Sequence, residues 1–397
     1  MREKFSEDKS VRTEFAERVK RLPPYLFAEI ERLIKEKKAQ GVDLISLSIG
    51  DPDLPPPEFV IEALKAEVSS LKNHNYSFSQ GEPDFRQAVV DWYEKRFQVA
   101  LEQDQVIALM GSKEGLANVG RAFVNSGDKV LVPDPAYPVY ANGTTILNEG
   151  TPIPLPLLKE NDFKPDFGAV YADKVKMMFL NYPNNPTAAT VDRKFLKEAV
   201  DFAADNNIIL CYDNAYSEIS FDGYRAPSIL EIDGAIDVAV EFHSCSKTFN
   251  MTGDRIAFAS GSKQIINGLG KVKSQVDSGP PVYIQKVATK ALHSYVSNEP
   301  PEFLKENNKI YAERRDILID NLWQMGLKCE KPKATFYVWA NCKSNSMVFA
   351  TKLLEVGVAV TPGIGFGIHG EKYIRFSLTQ PKEKIAEACN RMRQVIK

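Results

Sequence analysis

Between about residues 100 and 260 the sequence alternates short apolar runs with longer amphipathic ones, and few folds accept that rhythm. The runs are VIALM (106–110), KVLVP (129–133), KMMFLN (176–181), IILCYD (208–213), VAVEFHS (238–244) and IAFAS (256–260). A strand buried on both faces reads as a continuous apolar run, and parallel neighbours need a crossover between them. The pattern therefore predicts an α/β fold with a mostly parallel sheet and packed crossover helices. Helices are expected at 113–125, after Ser112, and at 191–206, where Thr190 is placed to cap and Val191, Phe195, Ala199, Phe202 and Ala203 share a face. The carboxyl-terminal stretch reads differently: a long charged helix around 301–325, then FYVWA (336–340), a helix near 345–356, VGVAVTP (356–362), KYIRFSLT (372–379) and a closing helix. This is a smaller α+β domain, completed by the amino-terminal segment DLISLSIGDPD (43–53). The expected division is an arm with part of the small domain over 1–50, a large domain over 51–295 and the small domain over 296–397.

Composition narrows the function classes. The 397 residues are 44% hydrophobic, enough for a large core, and 50 Lys plus Arg balance 52 Asp plus Glu for a net charge of -2. Such a balance gives no electrostatic reason to expect nucleic acid or a membrane surface as a partner. No apolar run approaches the roughly 20 residues that span a bilayer. The amino terminus MREKFSEDKSVRTEFAERVKR is too charged for a signal peptide, so a cytoplasmic location is expected. Five cysteines and four histidines are scattered without metal-ligand spacing, and no metal site is expected. Cys245 reads as a small buried hydrophobe.

The chemistry-bearing residues fall just past the carboxyl ends of the predicted strands, the edge where open α/β sheets bind ligands. Ser112 and Lys113 follow the first run, Tyr137 the second, Asn185 the third, Asp213 and Tyr216 the fourth, and Lys247 the fifth. Alone, Lys247 is an ordinary solvated lysine. Its neighbours change that: the hydroxyls of Ser244 and Ser246 can donate to phosphate, and Arg255 brings a guanidinium fork that matches phosphate oxygens. Asp213 ends an apolar strand, where a carboxylate is either a helix cap or the partner of a buried cation such as a pyridinium nitrogen. Tyr216 and Asn185 can hydrogen-bond a phenolic oxygen, and the helix start at Ser112 and Lys113 can accept an anion. Tyr137 is an aromatic lid on a ring face, or simple packing. Amine, carboxylate, phenol donors and phosphate ligands together are what pyridoxal 5'-phosphate requires. Arg375, in KYIRFSL, makes either an internal salt bridge or a clamp for a substrate carboxylate, which the backbone of Gly50 in SIGDPD can also approach. GFGIHG (365–370) matches the dinucleotide pattern G-x-G-x-x-G through Gly365, Gly367 and Gly370. It leads into a strand-like run rather than a helix, so it reads as a flexible loop closing over the site.

These residues resemble those of the fold type I, class I/II pyridoxal-phosphate-dependent aminotransferases, and the resemblance covers nearly the whole chain. LPPYLFAEI, SIGDPD, YSFSQGEPDFR, GSKEG, DPAYPVY, NYPNNPT, YDNAYSEI, SxSKT, MTGDR and YIRFSL occur in the family's order. The resemblance implies the aspartate aminotransferase-like fold, with Lys247 as the lysine that bonds the cofactor and Asp213 as the pyridinium partner. It further implies Asn185 and Tyr216 as phenolate partners, Ser244 and Arg255 as phosphate ligands, and Arg375 as the substrate-carboxylate arginine. Tyr76 resembles a tyrosine that reaches the phosphate from a neighbouring subunit, which implies a homodimer with shared active sites. LPPYLFAEI, GSKEG, EFHSCSKT and VDSG are similar to the LL-diaminopimelate aminotransferase branch, implying transfer between LL-diaminopimelate and 2-oxoglutarate. Some members of that branch carry an acidic residue near the position of Phe78 and Ser79. Further departures are Ala188 where the family has glycine, Asp254 beside Arg255, and Pro280-Pro281 after VDSG. Transamination of aspartate, alanine or glutamate, C-S β-elimination with the same cofactor, and a non-catalytic sensor role are the alternative expectations.

Overall fold

The structure, a computed structural model, describes residues 13–24 and 26–396. The first twelve residues of the amino-terminal arm, and Tyr25 of LPPYLFAEI, lie outside the described residues. All six apolar runs form strands of one seven-stranded sheet. Its order is Val106–Leu109, Ala257–Gly261, Ala239–Ser244, Ile209–Asp213, Val175–Asn181, Lys129–Asp134, Thr151–Pro156. Only Ala257–Gly261 runs antiparallel to its neighbours. The seventh strand, TPIPLP, is not apparent in the apolar pattern because three of its six residues are proline. Proline cannot donate to a ladder on both sides, and the strand lies at the sheet's edge, where only one side is paired.

The helix expected at 113–125 runs Ser112–Phe123, preceded by Gly111. The second expected helix is shorter than 191–206: it runs Arg193–Asp205, and its cap is Asp192 rather than Thr190. The Asp192 carboxylate accepts from the Phe195 N–H at 2.9 Å, which satisfies one of the orphan donors of the first turn. Val191 is buried just ahead of the helix, while Phe195, Ala199 and Ala203 carry its buried face.

The carboxyl-terminal elements build a separate four-stranded sheet, Thr361–Pro362, Tyr373–Ser377, Tyr337–Asn341, Lys328–Cys329, with its own apolar core. The amino-terminal segment joins it as the sequence suggested. Ile45–Ser46 pairs with Val358–Ala359, the Ser377 N–H donates to the Leu47 carbonyl, and the Thr361 hydroxyl donates to Ser48. The helix Glu302–Gln324 ties this part to the rest through buried Arg314, which forks onto Asp53 at 2.7 and 2.8 Å. Among the described residues, no helix is long and apolar enough to cross a membrane.

The glycine-rich segment GFGIHG is clamped rather than a free loop. It forms two short turns, Gly363–Phe366 and Ile368–Gly370. The Ala136 N–H donates to Phe366, and His369 meets Asp134 through both its backbone N–H (3.1 Å) and its ring (2.9 Å). Close approach explains two of its glycines: a β-carbon on Gly367 would fall 1.9 Å from the Asp134 carboxylate, and one on Gly370 would fall 2.1 Å from the Gly363 carbonyl oxygen.

Candidate active site

At the carboxyl edge of the large sheet, against the smaller sheet, lies a cavity of about 240 Å³. It is lined by ten of the thirteen sequence-predicted residues: Gly50, Ser112, Lys113, Tyr137, Asn185, Asp213, Tyr216, Ser244, Lys247 and Arg375. Ser246 is buried but outside the lining. Arg255 stands at the margin, donating to the Thr252 and Met110 carbonyls. Tyr76 lies outside the cavity and is 93% exposed. A larger cleft of about 730 Å³ elsewhere contains none of the predicted residues, and its arginines are engaged, Arg96 with Glu218, Arg193 with Glu231 and Arg225 with Glu299.

Lys247 is held by the fold. Its Nζ donates to the Gly50 carbonyl at 2.9 Å and lies over the Phe336 ring. Burial brings its pKa down to about 8; Asp51 opposes the shift, and Arg375 and Arg255 reinforce it. Asp213 lines the same cavity and is buried. Burial pushes its carboxyl up to about 6, against the lowering effect of hydrogen bonds from the Tyr140 hydroxyl (2.7 Å) and the Ala215 N–H. It does not cap a helix. Tyr140 is a site residue without an assigned role in the sequence reading, although DPAYPVY contains it. It opens a π-helical turn, Tyr140–Thr145, which brings its hydroxyl under the carboxylate.

Arg375 is buried. It donates to the Asn185 side-chain carbonyl and to the Ser48 backbone, each at 2.7 Å, and its guanidinium lies 4.2 Å from the Tyr337 ring centre and 4.8 Å from that of Phe366. With its carbonyl engaged there, Asn185 has its NH₂ to offer the cavity. Asn181 fixes that residue from below: its carbonyl accepts from the Asn185 N–H and its amide donates to Asp213 O. The Tyr216 hydroxyl meets that of Tyr337 at 3.3 Å.

One end of the cavity is built for an anion. Ser112–Phe123 begins there, with the positive end of its dipole, and Gly111 ahead of it has φ +82°. A β-carbon on Gly111 would fall 2.0 Å from the Arg255 guanidinium, so glycine is what lets that cation approach the helix start. Cys245, next to these residues, is buried, and its thiol is pushed up to about 12 by burial, which leaves it an inert space-filler.

The sequence model of the family "Aminotransferase class I and II" matches residues 42–392. The chain belongs to this aminotransferase family. It is 49% identical to the LL-diaminopimelate aminotransferase of Desulforudis audaxviator, over 95% of this chain and 97% of that one. It is 47% identical to the enzyme of the same name from Aquifex aeolicus, over 96% and 99%. Among solved structures, substrate-bound BacF from Bacillus subtilis superposes with a TM-score of 0.90 at 35% identity, over 96% of this chain and 98% of that one. Aspartate aminotransferase from Thermus thermophilus gives 0.90 at 27%, over 96% and 99%. The aminotransferase fold and the enzyme class follow, with amino acids and 2-oxo acids as substrates and pyridoxal 5'-phosphate as cofactor. The donor set fits that cofactor: a half-buried amine, a buried carboxylate, phenol and amide donors and a helix start for an anion all line one cavity.

Proposed function

We propose that this aminotransferase moves an amino group between LL-diaminopimelate and 2-oxoglutarate, with Lys247 as the catalytic base. The observation that carries the chemical assignment is the half-buried Lys247 amine sharing one small cavity with the buried Arg375 guanidinium and Asp213. The shared name of relatives at 47 to 49% identity supports the substrate, and favours transamination over C-S elimination.

When bound, pyridoxal 5'-phosphate supplies an aldehyde that receives the amino group and a ring that accepts the electrons released at the substrate α-carbon. In our reading Lys247 is the attachment point. Its amine, lowered by burial toward neutral pH, would take the proton from the substrate α-carbon and later return it. Asp213, held by Tyr140, keeps a proton on the ring nitrogen. Arg375 grips the α-carboxylate and so fixes which α-bond faces Lys247, with the Gly50 backbone beside it. Asn185 and Tyr216 donate to the phenolic oxygen. Ser112, Lys113, Ser244, Ser246 and Arg255 hold the phosphate, and Tyr137 covers the ring. Tyr76 of a second copy completes the phosphate site, which makes the working unit a homodimer with shared sites; its exposure in the single chain supports this. The division into an amino-terminal arm with part of the small domain over 1–50, a large domain over 51–295 and the small domain over 296–397 is supported by the seven-stranded and four-stranded sheets lying in different parts of the chain. A cytoplasmic location completes the proposal.

The test is a half reaction. Holoenzyme mixed with single amino acids should lose its cofactor absorbance fastest with LL-diaminopimelate, ahead of glutamate, aspartate and alanine. No response to LL-diaminopimelate alongside a fast response to another donor would overturn the substrate assignment.

A further inference from the structure

We infer that Tyr337 is a positioning residue whose ring orients Arg375 and whose hydroxyl strengthens Tyr216 as a hydrogen-bond donor. The inference rests on the reading that Arg375 binds the substrate carboxylate and Tyr216 the cofactor's phenolic oxygen. Strand register puts Tyr337 in place. In the antiparallel pair, Trp339 lies opposite Arg375 and Tyr337 opposite Ser377, so Tyr337 and Arg375 are diagonal neighbours on one face of the small sheet. From there the two ends of the side chain meet different partners. The ring face lies 4.2 Å from the guanidinium carbon of Arg375. The hydroxyl lies 3.3 Å from that of Tyr216.

Each contact has a definite consequence. A guanidinium over an aromatic face is attracted by the ring quadrupole, and the ring takes up none of its N–H donors, so Arg375 is oriented without being consumed. Either hydroxyl can donate in this pair; when Tyr216 directs its own hydrogen at the phenolic oxygen, Tyr337 is the one left to donate, and that polarises the Tyr216 O–H into a stronger donor. A stronger donor draws charge from the cofactor's phenolic oxygen, so the nitrogen that Lys247 contributes to the cofactor loses its proton at lower pH. A third contact locks the geometry: a β-carbon on Gly50 would fall 1.8 Å from the Tyr337 oxygen, and Gly50 is the residue whose carbonyl accepts from Lys247. Tyr337 therefore touches the surroundings of the amine, the phenol and the guanidinium at once, while it is itself buried.

The test compares Tyr337→Phe, Tyr337→Leu and Tyr216→Phe as holoenzymes, reading the pH midpoint of the cofactor absorbance without substrate and the KM and kcat for an amino donor. Tyr337→Phe should raise the midpoint by about half a unit to one unit, in the same direction as Tyr216→Phe but by less, with KM unchanged. Tyr337→Leu should raise the midpoint likewise and also raise KM roughly tenfold, with kcat changed much less. If Tyr337→Leu does not fold, as judged by circular dichroism, Tyr337→Met replaces it. A midpoint shift in Tyr216→Phe with none in Tyr337→Phe overturns the inference and leaves the Tyr216 assignment standing. No shift in either overturns both, and an unchanged KM on loss of the ring overturns the orienting role.

Discussion

Burial acts in opposite directions on the two titrating groups of the site. It lowers Lys247 to about 8, so that a neutral amine is within reach of working pH, and raises Asp213 to about 6, so that its charge is costly until a cation pairs with it. Lys247→Ala should cut the steady-state transamination rate by at least about a thousandfold while leaving the circular dichroism spectrum unchanged. Asp213 makes the stability of the cofactor-free protein depend on pH. The folded-state value exceeds the ordinary 3.8, so the cofactor-free protein is penalised where the folded carboxylate is charged, above about 6, and the penalty is absent below 3.8. Cofactor-free Asp213→Asn should therefore be more stable than the parent at pH 8, by up to about 3 kcal/mol in denaturant titrations, with the advantage fading toward pH 4. Ala188 tests strain. It holds φ +59°, a left-handed conformation that disfavours any β-carbon, at the position where the family pattern has glycine. Ala188→Gly should raise stability by about 0.5–1 kcal/mol in the same assay. Asp213 and Arg375 stood out in sequence because a charge inside an apolar run needs a reason, and Lys247 because Ser244, Ser246 and Arg255 lie close to it in the chain. Tyr140 and Tyr337 were not, since an aromatic residue in such a run looks like packing until the structure shows what its hydroxyl touches.

The helix Ser112–Phe123 illustrates how one element is kept fit for an anion. Its first turn contains Glu114, which accepts from the Met110 N–H and steadies the turn, yet places a negative charge near the cradle. Fully buried Lys273 answers it, lying 3.1 Å from Glu114 and 2.8 Å from Asp277. Lys273→Met leaves two largely buried carboxylates facing one another. It should destabilise the protein by about 3–5 kcal/mol in chemical denaturation and weaken cofactor retention on dialysis. At this scale the sequence was informative wherever periodicity was unbroken, as in the six apolar strands and the helix Glu302–Gln324. It failed where local chemistry outweighed pattern: the prolines of Thr151–Pro156 hid a strand, and Thr190 reads as the cap of a helix that begins two residues later and is capped by Asp192. The clamped GFGIHG turns belong to the same group, because what holds them is Asp134, far away in sequence.

The single chain displays Leu71, Tyr76 and Phe78 with 88, 93 and 65% exposure on one short stretch, an uncommon cost for large apolar groups unless a second surface covers them. The dimer of the proposed function predicts complementation. Tyr76→Ala and Lys247→Ala, each impaired alone, should regain turnover when unfolded and refolded together, because half of the sites in a mixed dimer combine an intact lysine with an intact tyrosine. Turnover that stays at the sum of the two parents would place Tyr76 outside the shared site. Covalent attachment at Lys247 underlies the whole account and can be read directly. Borohydride reduction of the holoenzyme, followed by proteolysis and peptide mass spectrometry, should find the pyridoxyl group on the peptide containing Lys247. Its appearance on another lysine, or a cofactor-loaded protein that yields no modified peptide, would contradict the account.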